Sequence, residues 1–564
     1  MRISTKIFRG LTMFFAMLLV LSIAMASIME YYRSSLDENT DALSSQVVVD
    51  SDSGEWSYGT QFTSVADAVA GLKDFAIREA AESFVLLKNE DSALPLTGSK
   101  PKVTLFGLRS YAAYYGSTGG GSIPDKATVD LGNTATAAFQ AAFDVNPEML
   151  AAYEAYCNTL TWGSAGFGAQ APVWRETVSS SDPMELTPDE LAGYNPDYAS
   201  AYEEYNDAAI VVLGRTSGEN VSFYPGEVGR TTTSETGTTV VETNTGNILG
   251  ISKEEQEIID EAKENFDKVI VLLNSSSALE IEALKDDADI DAVMWIGYPG
   301  VYGFEAVASV LKGETAPSGH LGDVYAVNSA LAPAMWNYGG AEAGSKIVWA
   351  DKADYTGDEN VNSYLIQAEG IYTGYRYYET RYADVIEGNG GAANAAAGTY
   401  VTSATDYRAA TTAGTWNYSN EVSYPFGYGL SYTTFEQELG DVQIASDKKT
   451  ATVEVTVTNT GSAAGKSVVQ LYAQTPYTEG GVEKSAIQLI DYEKTDELEG
   501  GASETIVLNV DLSNLASYDY EGAKTFVVDA GTYYFAIGDD SHDALNNILA
   551  AKGETGMVDN DGQE

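Results

Sequence analysis

The chain has 564 residues and a formal net charge of −51, from 82 acidic and 31 basic side chains. A phosphate backbone needs clustered Lys and Arg, so this balance excludes nucleic acid as a partner and fits a self-repelling, soluble surface outside the cell. The single cysteine, Cys157, excludes an intrachain disulfide; with only two histidines, His320 and His542, no metal site is expected, and no cofactor motif stands out.

At the N-terminus Arg2, Lys6 and Arg9 precede "LTMFFAMLLVLSIAMASI", residues 11–28, which carries no charge. Such a run is either the core of a signal peptide or a membrane span. "AMA" at 24–26 offers a cleavage site, whereas Tyr31 and Tyr32 followed by Arg33 suit an interfacial anchor. Residues 1–34 are therefore read as a signal anchor or signal peptide meeting the membrane through 11–28, and residues 35–74 as a linker. The expected location is membrane-anchored and facing the extracellular side, or alternatively secreted.

Next come short apolar runs rich in β-branched residues: "KVTLFGL" (102–108), "AAIVVLG" (208–214), "KVIVLL" (268–273) and "IDAVMWIG" (290–297). Helical patterns separate them. "SKEEQEIIDEAKENF" (252–266) opens with Ser252 and Glu255 spaced as a capping box, and Ile258, Ile259, Ala262 and Phe266 share one face. "GFEAVASVLKG" (303–313) reads as another helix, ended by Gly313. Strands alternating with helices predict a mostly parallel-sheet α/β sandwich over 75–322, followed by a loop-rich extension over 323–438. From about residue 439 the period changes to two. "TATVEVTVTNTGSAAGKSVVQLYAQT" (450–475), "ETIVLNVDL" (504–512), "KTFVVDAG" (524–531) and "TYYFAIG" (532–538) predict an all-β sandwich over 439–541. Residues 542–564 are left as a tail or the start of a further domain.

One carboxylate stands out. In "AAIVVLGRTSGEN" (208–220) Glu219 follows directly on a buried strand, in a Gly/Ser-rich turn. Open α/β sheets place ligands at that edge. Without further information, a solvated loop carboxylate is the plainer reading.

Seven stretches together carry a resemblance: "REAAESFVLLKNEDSALPL" (78–96), "GSTGGGS" (116–122), "GRTSGE" (214–219), "NSSSALEI" (274–281), "PSGHL" (317–321), "EGIYTGYRYYE" (369–379) and "YPFGYGLSYTTF" (424–435). In this order they resemble the α/β-sandwich domain of glycoside hydrolase family 3, and residues 439–541 are similar to the fibronectin type III-like domain that follows it. The resemblance implies a retaining β-glucosidase-like O-glycosyl hydrolase acting on a β-linked oligosaccharide or glycoside. Retaining chemistry needs two carboxylates, one attacking the anomeric carbon and one serving as acid and then base. In the family the nucleophile is an aspartate on a (β/α)₈ barrel, and the acid/base glutamate comes from a turn of the α/β sandwich. "GRTSGE" resembles the family's Gly-Arg-x-Ser-Gly-Glu, which implies that Glu219 is the acid/base. The family continues Glu-Gly-x-Asp-Arg; here "ENVSFYPGEVGR" runs on to Arg230 with extra residues. Glu227, in a second Gly-Glu, is therefore a rival. Arg230 is either the family's loop-bracing arginine, and so a substrate-binding candidate, or a plain surface arginine.

Two further motifs have bland counterparts. "GSTGGGS" lacks the Lys-Ser/Thr of a phosphate loop and reads as a flexible loop or as a sugar-site rim. The tyrosines of "GYRYYETRY" (374–382) suit sugar stacking, but packing is the commoner role for any one of them. No barrel motif, neither Ser-Asp-Trp nor Lys-His-Phe, occurs in the chain. The order resembles that of permuted family members, in which the barrel comes last. The expectation is a chain supplying the acid/base domain and inactive without a barrel in cis or trans. The alternative is a non-catalytic, membrane-tethered carbohydrate-binding or scaffold protein derived from such an enzyme.

Overall fold

The computed structural model describes residues 3–31, 62, 64–116, 133–159, 162–164, 170–172, 185–215, 227–233, 239–329, 332–336, 347–348, 363–364, 369–388, 417–478 and 480–564. It divides into two compact units, Met1–Val69 and Ala70–Glu564. The first contains the helix Ile3–Tyr31, whose apolar side chains from Phe8 to Leu21 are exposed wherever they are described. This helix takes in the uncharged 11–28 stretch together with Lys6, Arg9 and Glu30. Among the described residues no helix is long and apolar enough to cross a membrane. The expectation of a membrane-spanning segment is corrected to that of an N-terminal helix.

The second unit is built on a six-stranded sheet. In spatial order its strands are Val85–Asn89, Ala292–Trp295, Val269–Ser275, Ala208–Arg215, Lys102–Phe106 and Asp144–Val145. All neighbours run parallel except the edge strand Val85–Asn89, which is antiparallel to Ala292–Trp295. Strand alternation explains why the inner strands are apolar throughout: each residue faces one of two cores. Ala209, Val211 and Leu213 enter one core, which also takes Val269, Val271 and Leu273. Ala208, Ile210 and Val212 enter the other, with Ile270 and Leu272. Helices Pro147–Cys157, Pro188–Tyr194 and Lys253–Asn265 cover the first face; Ala135–Ala142 and Gly303–Leu311 cover the second. The expected capping box is formed: the Glu255 amide donates to the Ser252 hydroxyl at 3.1 Å, and the Ser252 amide donates to Glu255 Oε2 at 2.9 Å.

The period-two segments pair only with one another. Phe435–Ile444, Thr450–Asn459 and Ser503–Asp511 form one antiparallel sheet; Gln488–Lys494, Val468–Gln474 and Tyr534–Ile537 form a second. Val453, Val455 and Val457 of one sheet and Val469 and Leu471 of the other share a core, as a β-sandwich requires. A third core joins this sandwich to the loop-rich extension, through helices Tyr375–Glu387 and Ser541–Lys552.

Close backbone crossings account for two of the quoted motifs. A Cβ at Gly319 of "PSGHL" would lie 2.5 Å from the carbonyl oxygens of Ser83 and Phe84, and one at Gly429 of "YPFGYGLSY" would lie 2.3 Å from the Gly319 carbonyl oxygen. His320 is part of the same joint. Its Nδ1 sits 2.6 Å from the Gly427 carbonyl oxygen, and Gln470 of the β-sandwich also donates to that oxygen at 2.9 Å. Burial lowers the His320 pKa to about 4, so the ring is neutral and serves as a domain joint.

Candidate functional site

The chain order of the sheet reverses at one place. From Lys102–Phe106 the chain moves outward to Asp144–Val145 and then returns to Ala208–Arg215 on the other side. Strand ends diverge at such a switch and leave a crevice at the C-terminal edge.

Gly107 follows the first strand. Its φ of 85° and the absence of a Cβ let the chain pass close to Val212; a Cβ would lie 2.4 Å from the Val212 carbonyl oxygen. The Gly107 amide donates to the Tyr153 hydroxyl at 2.8 Å, and the Leu108 amide donates to Glu185 Oε2 at 2.8 Å. Glu185 is 3 % exposed, and burial pushes its carboxyl up to about 8 despite the amide donors from Leu186 and Leu108. Arg109 is buried too, with its guanidinium 4.2 Å from the centre of the Tyr114 ring.

The second strand ends in Gly214 and Arg215. A Cβ at Gly214 would meet Arg109 Cγ at 2.9 Å and the Asn274 carbonyl oxygen at 3.1 Å, so any side chain there forces a neighbour to shift. Arg215 turns inward. Its two terminal nitrogens bind Glu255 at 2.5 and 2.7 Å, Nε donates to the Ile248 carbonyl at 2.7 Å and one terminal nitrogen to the Gly250 carbonyl at 2.6 Å. Glu255 thus serves both the capping box and the arginine. Asn274, at the end of the third strand, accepts from the Tyr114 amide at 2.7 Å and donates to the carbonyls of Tyr114 and Gly297 at 2.9 and 2.7 Å. Tyr298 donates its hydroxyl to the Arg215 carbonyl at 2.7 Å. These hydrogen bonds fix where residue 215 leaves the sheet.

Glu219 lies outside the described residues. Glu227 opens the hairpin strand Glu227–Thr233, where its backbone pairs opposite Asn247; Arg230 pairs opposite Glu242. The side chains of both lie outside the described residues. The structure thus places the base of the "GRTSGE" turn at the switch crevice and brings none of the three candidates into a described side-chain contact. Sequence reasoning passed over Arg215 as a site residue, although an arginine closing an apolar strand is itself a signal of a buried partner. Asn274 stood in a quoted motif without a role. Glu185 had no signal, because only the fold brings residue 185 to residue 108. Burial raises the Cys157 thiol to about 12, which disfavours the reactive thiolate. Among the described residues no three His, Cys, Asp or Glu side chains converge to hold a metal ion.

The family model of the glycosyl hydrolase family 3 C-terminal domain matches residues 84–432, and that of the fibronectin type III-like domain matches residues 467–541. The chain belongs to glycoside hydrolase family 3. It is 28% identical to a beta-glucosidase of Ruminococcus albus over 476 residues, 82% of this chain and 39% of the relative. It is 27% identical to beta-glucosidase A of Butyrivibrio fibrisolvens over 500 residues, 83% of this chain and 50% of the relative. A solved beta-glucosidase from Paenibacillus barengoltzii superposes with a TM-score of 0.56 at 27% identity, covering 84% of this chain and 42% of its own. The chain thus spans half or less of the length of these family 3 relatives. Neither matching family model is a barrel.

Proposed function

We propose that this family 3 chain supplies the acid/base half of a retaining β-glucosidase-like hydrolase acting on β-linked glycosides. Glu219 is the acid/base, Glu227 its rival, and Arg230 a brace for the turn that also meets substrate. The attacking carboxylate comes from a (β/α)₈ barrel in cis or trans, since retention requires a second carboxyl group about 5–5.5 Å from the first. One observation carries the reading. The "GRTSGE" turn starts at a strand end locked at the switch crevice, where such sheets bind ligands, and it does so inside the segment matched to the family.

We also propose that the N-terminal stretch directs the chain to the extracellular side, where it is either retained as a tether or removed near Ala26. N-terminal sequencing of the mature protein distinguishes these outcomes, and a full-length cytoplasmic protein rejects both.

The functional test compares hydrolysis of an aryl β-glucoside by residues 35–564 alone and by the same chain joined to a family 3 barrel. Activity only in the joined protein supports the reading. Activity of the isolated chain rejects the need for a barrel. Saturable sugar binding without activity in either form rejects the catalytic reading in favour of a carbohydrate-binding protein.

A further inference from the structure

One end of the β-sandwich is hollow. Where strands Phe435–Ile444 and Ser503–Asp511 finish lies a cavity of about 780 Å³. Its size falls in the range of small-molecule sites, about 300–1,000 Å³. The floor continues the sandwich core. Leu515 is buried, and Leu512 and Phe535 pack half-buried against the core that holds Val453 and Leu471. Tyr533 adds a ring whose hydroxyl donates to the Asp529 carbonyl at 2.7 Å. Ile444 and Val528 line the same hollow and are 52 % and 60 % exposed. Large aliphatic side chains left uncovered around a concave apolar surface suit an apolar ligand.

The polar part of the wall sets the charge of that ligand. Lys448 and Lys449 stand in the turn between Phe435–Ile444 and Thr450–Asn459, with Lys448 in the left-handed region at φ 57°. The turn is pinned. The Lys448 amide donates to the Ala445 carbonyl at 2.8 Å, the Lys449 amide to Asp447 Oδ1 at 3.1 Å, and the Leu512 amide to the Lys449 carbonyl at 2.8 Å. In a chain with 82 acidic side chains, cations are readily paired: Lys263, Lys285, Lys312, Lys466 and Lys484 each hold a carboxylate. Lys448 and Lys449 hold none among the described residues. Asp511, the acidic residue of the wall, accepts from the Ser513 amide at 2.9 Å. Two uncommitted cations therefore stand beside an apolar hollow. A second copy of the chain suits this face poorly, because each copy carries a net charge of −51. A small anion with an apolar body matches both the floor and the lysines.

We propose that this end of the β-sandwich binds a small amphiphilic anion, an alkyl chain ending in a carboxylate, with the chain in the hollow and the carboxylate at Lys448 and Lys449. The site stands independently of the role proposed for Glu219.

The test uses the full chain and saturation-transfer NMR with octanoate, octanol and octylammonium, which share one alkyl chain and differ in charge. Expected is saturable octanoate binding, about tenfold tighter than that of octanol, as two exposed ion pairs would give, and weakened by salt. Octylammonium binds most weakly. The double variant Lys448→Gln/Lys449→Gln binds octanoate no better than octanol, and Val528→Asp weakens both. Glu219→Gln changes none of this. All three substituted positions at the hollow are exposed, and melting temperatures report whether the variants fold. Equal binding of octanoate and octanol, unchanged octanoate binding in the lysine variant, or no saturable binding overturns the proposal. A concentration-dependent dimer in ultracentrifugation that Val528→Asp disperses also overturns it, and assigns the hollow to a second copy.

Discussion

Arg215 and Glu255 meet in a two-pronged ion pair with both side chains 2 % exposed, and the pair joins the end of one strand to the first turn of the next helix. Breaking such a pair leaves a buried charge without its partner, which costs about 3–5 kcal/mol. Glu255→Ala also removes the capping box, worth about 1 kcal/mol more. Chemical denaturation is expected to show the loss for Glu255→Ala and for Arg215→Met alone. The double substitution Arg215→Met/Glu255→Ala is expected to be less destabilised than the sum of the singles, because no unpaired charge is left. Additive singles reject the coupling.

Gly214 makes a second prediction at the same edge. Gly214→Ala drives a Cβ to within 2.9 Å of Arg109 Cγ and 3.1 Å of the Asn274 carbonyl oxygen. One of them must move. Overpacking of this kind costs about 1–3 kcal/mol. The expected result is a lower denaturation midpoint with an unchanged denaturant slope, since the fold itself remains. A midpoint equal to wild type would show that the edge is looser than its hydrogen bonds indicate.

Glu185 and Asp540 are expected to make stability fall as pH rises from acid to neutral, against an opposite contribution from His320, whose lowered pKa of about 4 adds stability as pH rises toward 6.5. Glu185 carries the main effect, because burial lifts its carboxyl from 4.5 to about 8 in the folded chain. A group whose folded pKa is raised contributes stability below its unfolded pKa and loses it as pH climbs through the folded value. The loss for Glu185 therefore begins above about 4.5 and is complete near 8. Asp540 has the same sign, raised from 3.8 to about 7 by burial. At His542 burial opposes the charged form, but the charge and hydrogen bond of Glu379 outweigh it, so it too is raised and adds stability at low pH. Melting temperatures from pH 4.5 to 8.5 should decline in wild type and decline less in Glu185→Gln. Equal slopes in the two would show that Glu185 is not the group responsible.

The α/β sheet followed by β-sandwich sheets was legible because periodicity is a local property. Val453, Val455 and Val457 alternate in the sequence as they do in the core, and Ala208–Leu213 is apolar at every position because both faces are covered. The Ser252–Glu255 cap was legible for the same reason, all its atoms lying within four residues. What could not be read was pairing at a distance. Nothing near Glu185 points to Leu108, nothing near Glu379 points to His542, and the antiparallel edge strand Val85–Asn89 differs from its parallel neighbours only in direction. Of the candidate site, the turn's starting point was legible from the strand, while its chemistry came through family resemblance alone.

The last prediction concerns Glu219 and rests on the proposed function. In the chain joined to a barrel, Glu219→Gln removes the proton donor for the departing oxygen. A positioned general acid contributes roughly 10²–10⁴-fold, so turnover of β-glucosides with poor leaving groups should drop by about that factor. Glycosides of acidic phenols need little protonation and should lose much less at the glycosylation step. The second step needs the same residue as base. Azide attacks without base help, so it should partly restore turnover in Glu219→Gln and yield a β-glucosyl azide, the stereochemistry that retention demands. Arg230→Ala should raise KM more than it lowers kcat if the arginine meets substrate. Should Glu227→Gln show the leaving-group dependence and the azide rescue while Glu219→Gln shows neither, the acid/base is Glu227. The inserted residues between them would then have shifted the catalytic carboxylate along the loop, leaving the Arg215 anchor at the sheet edge in place.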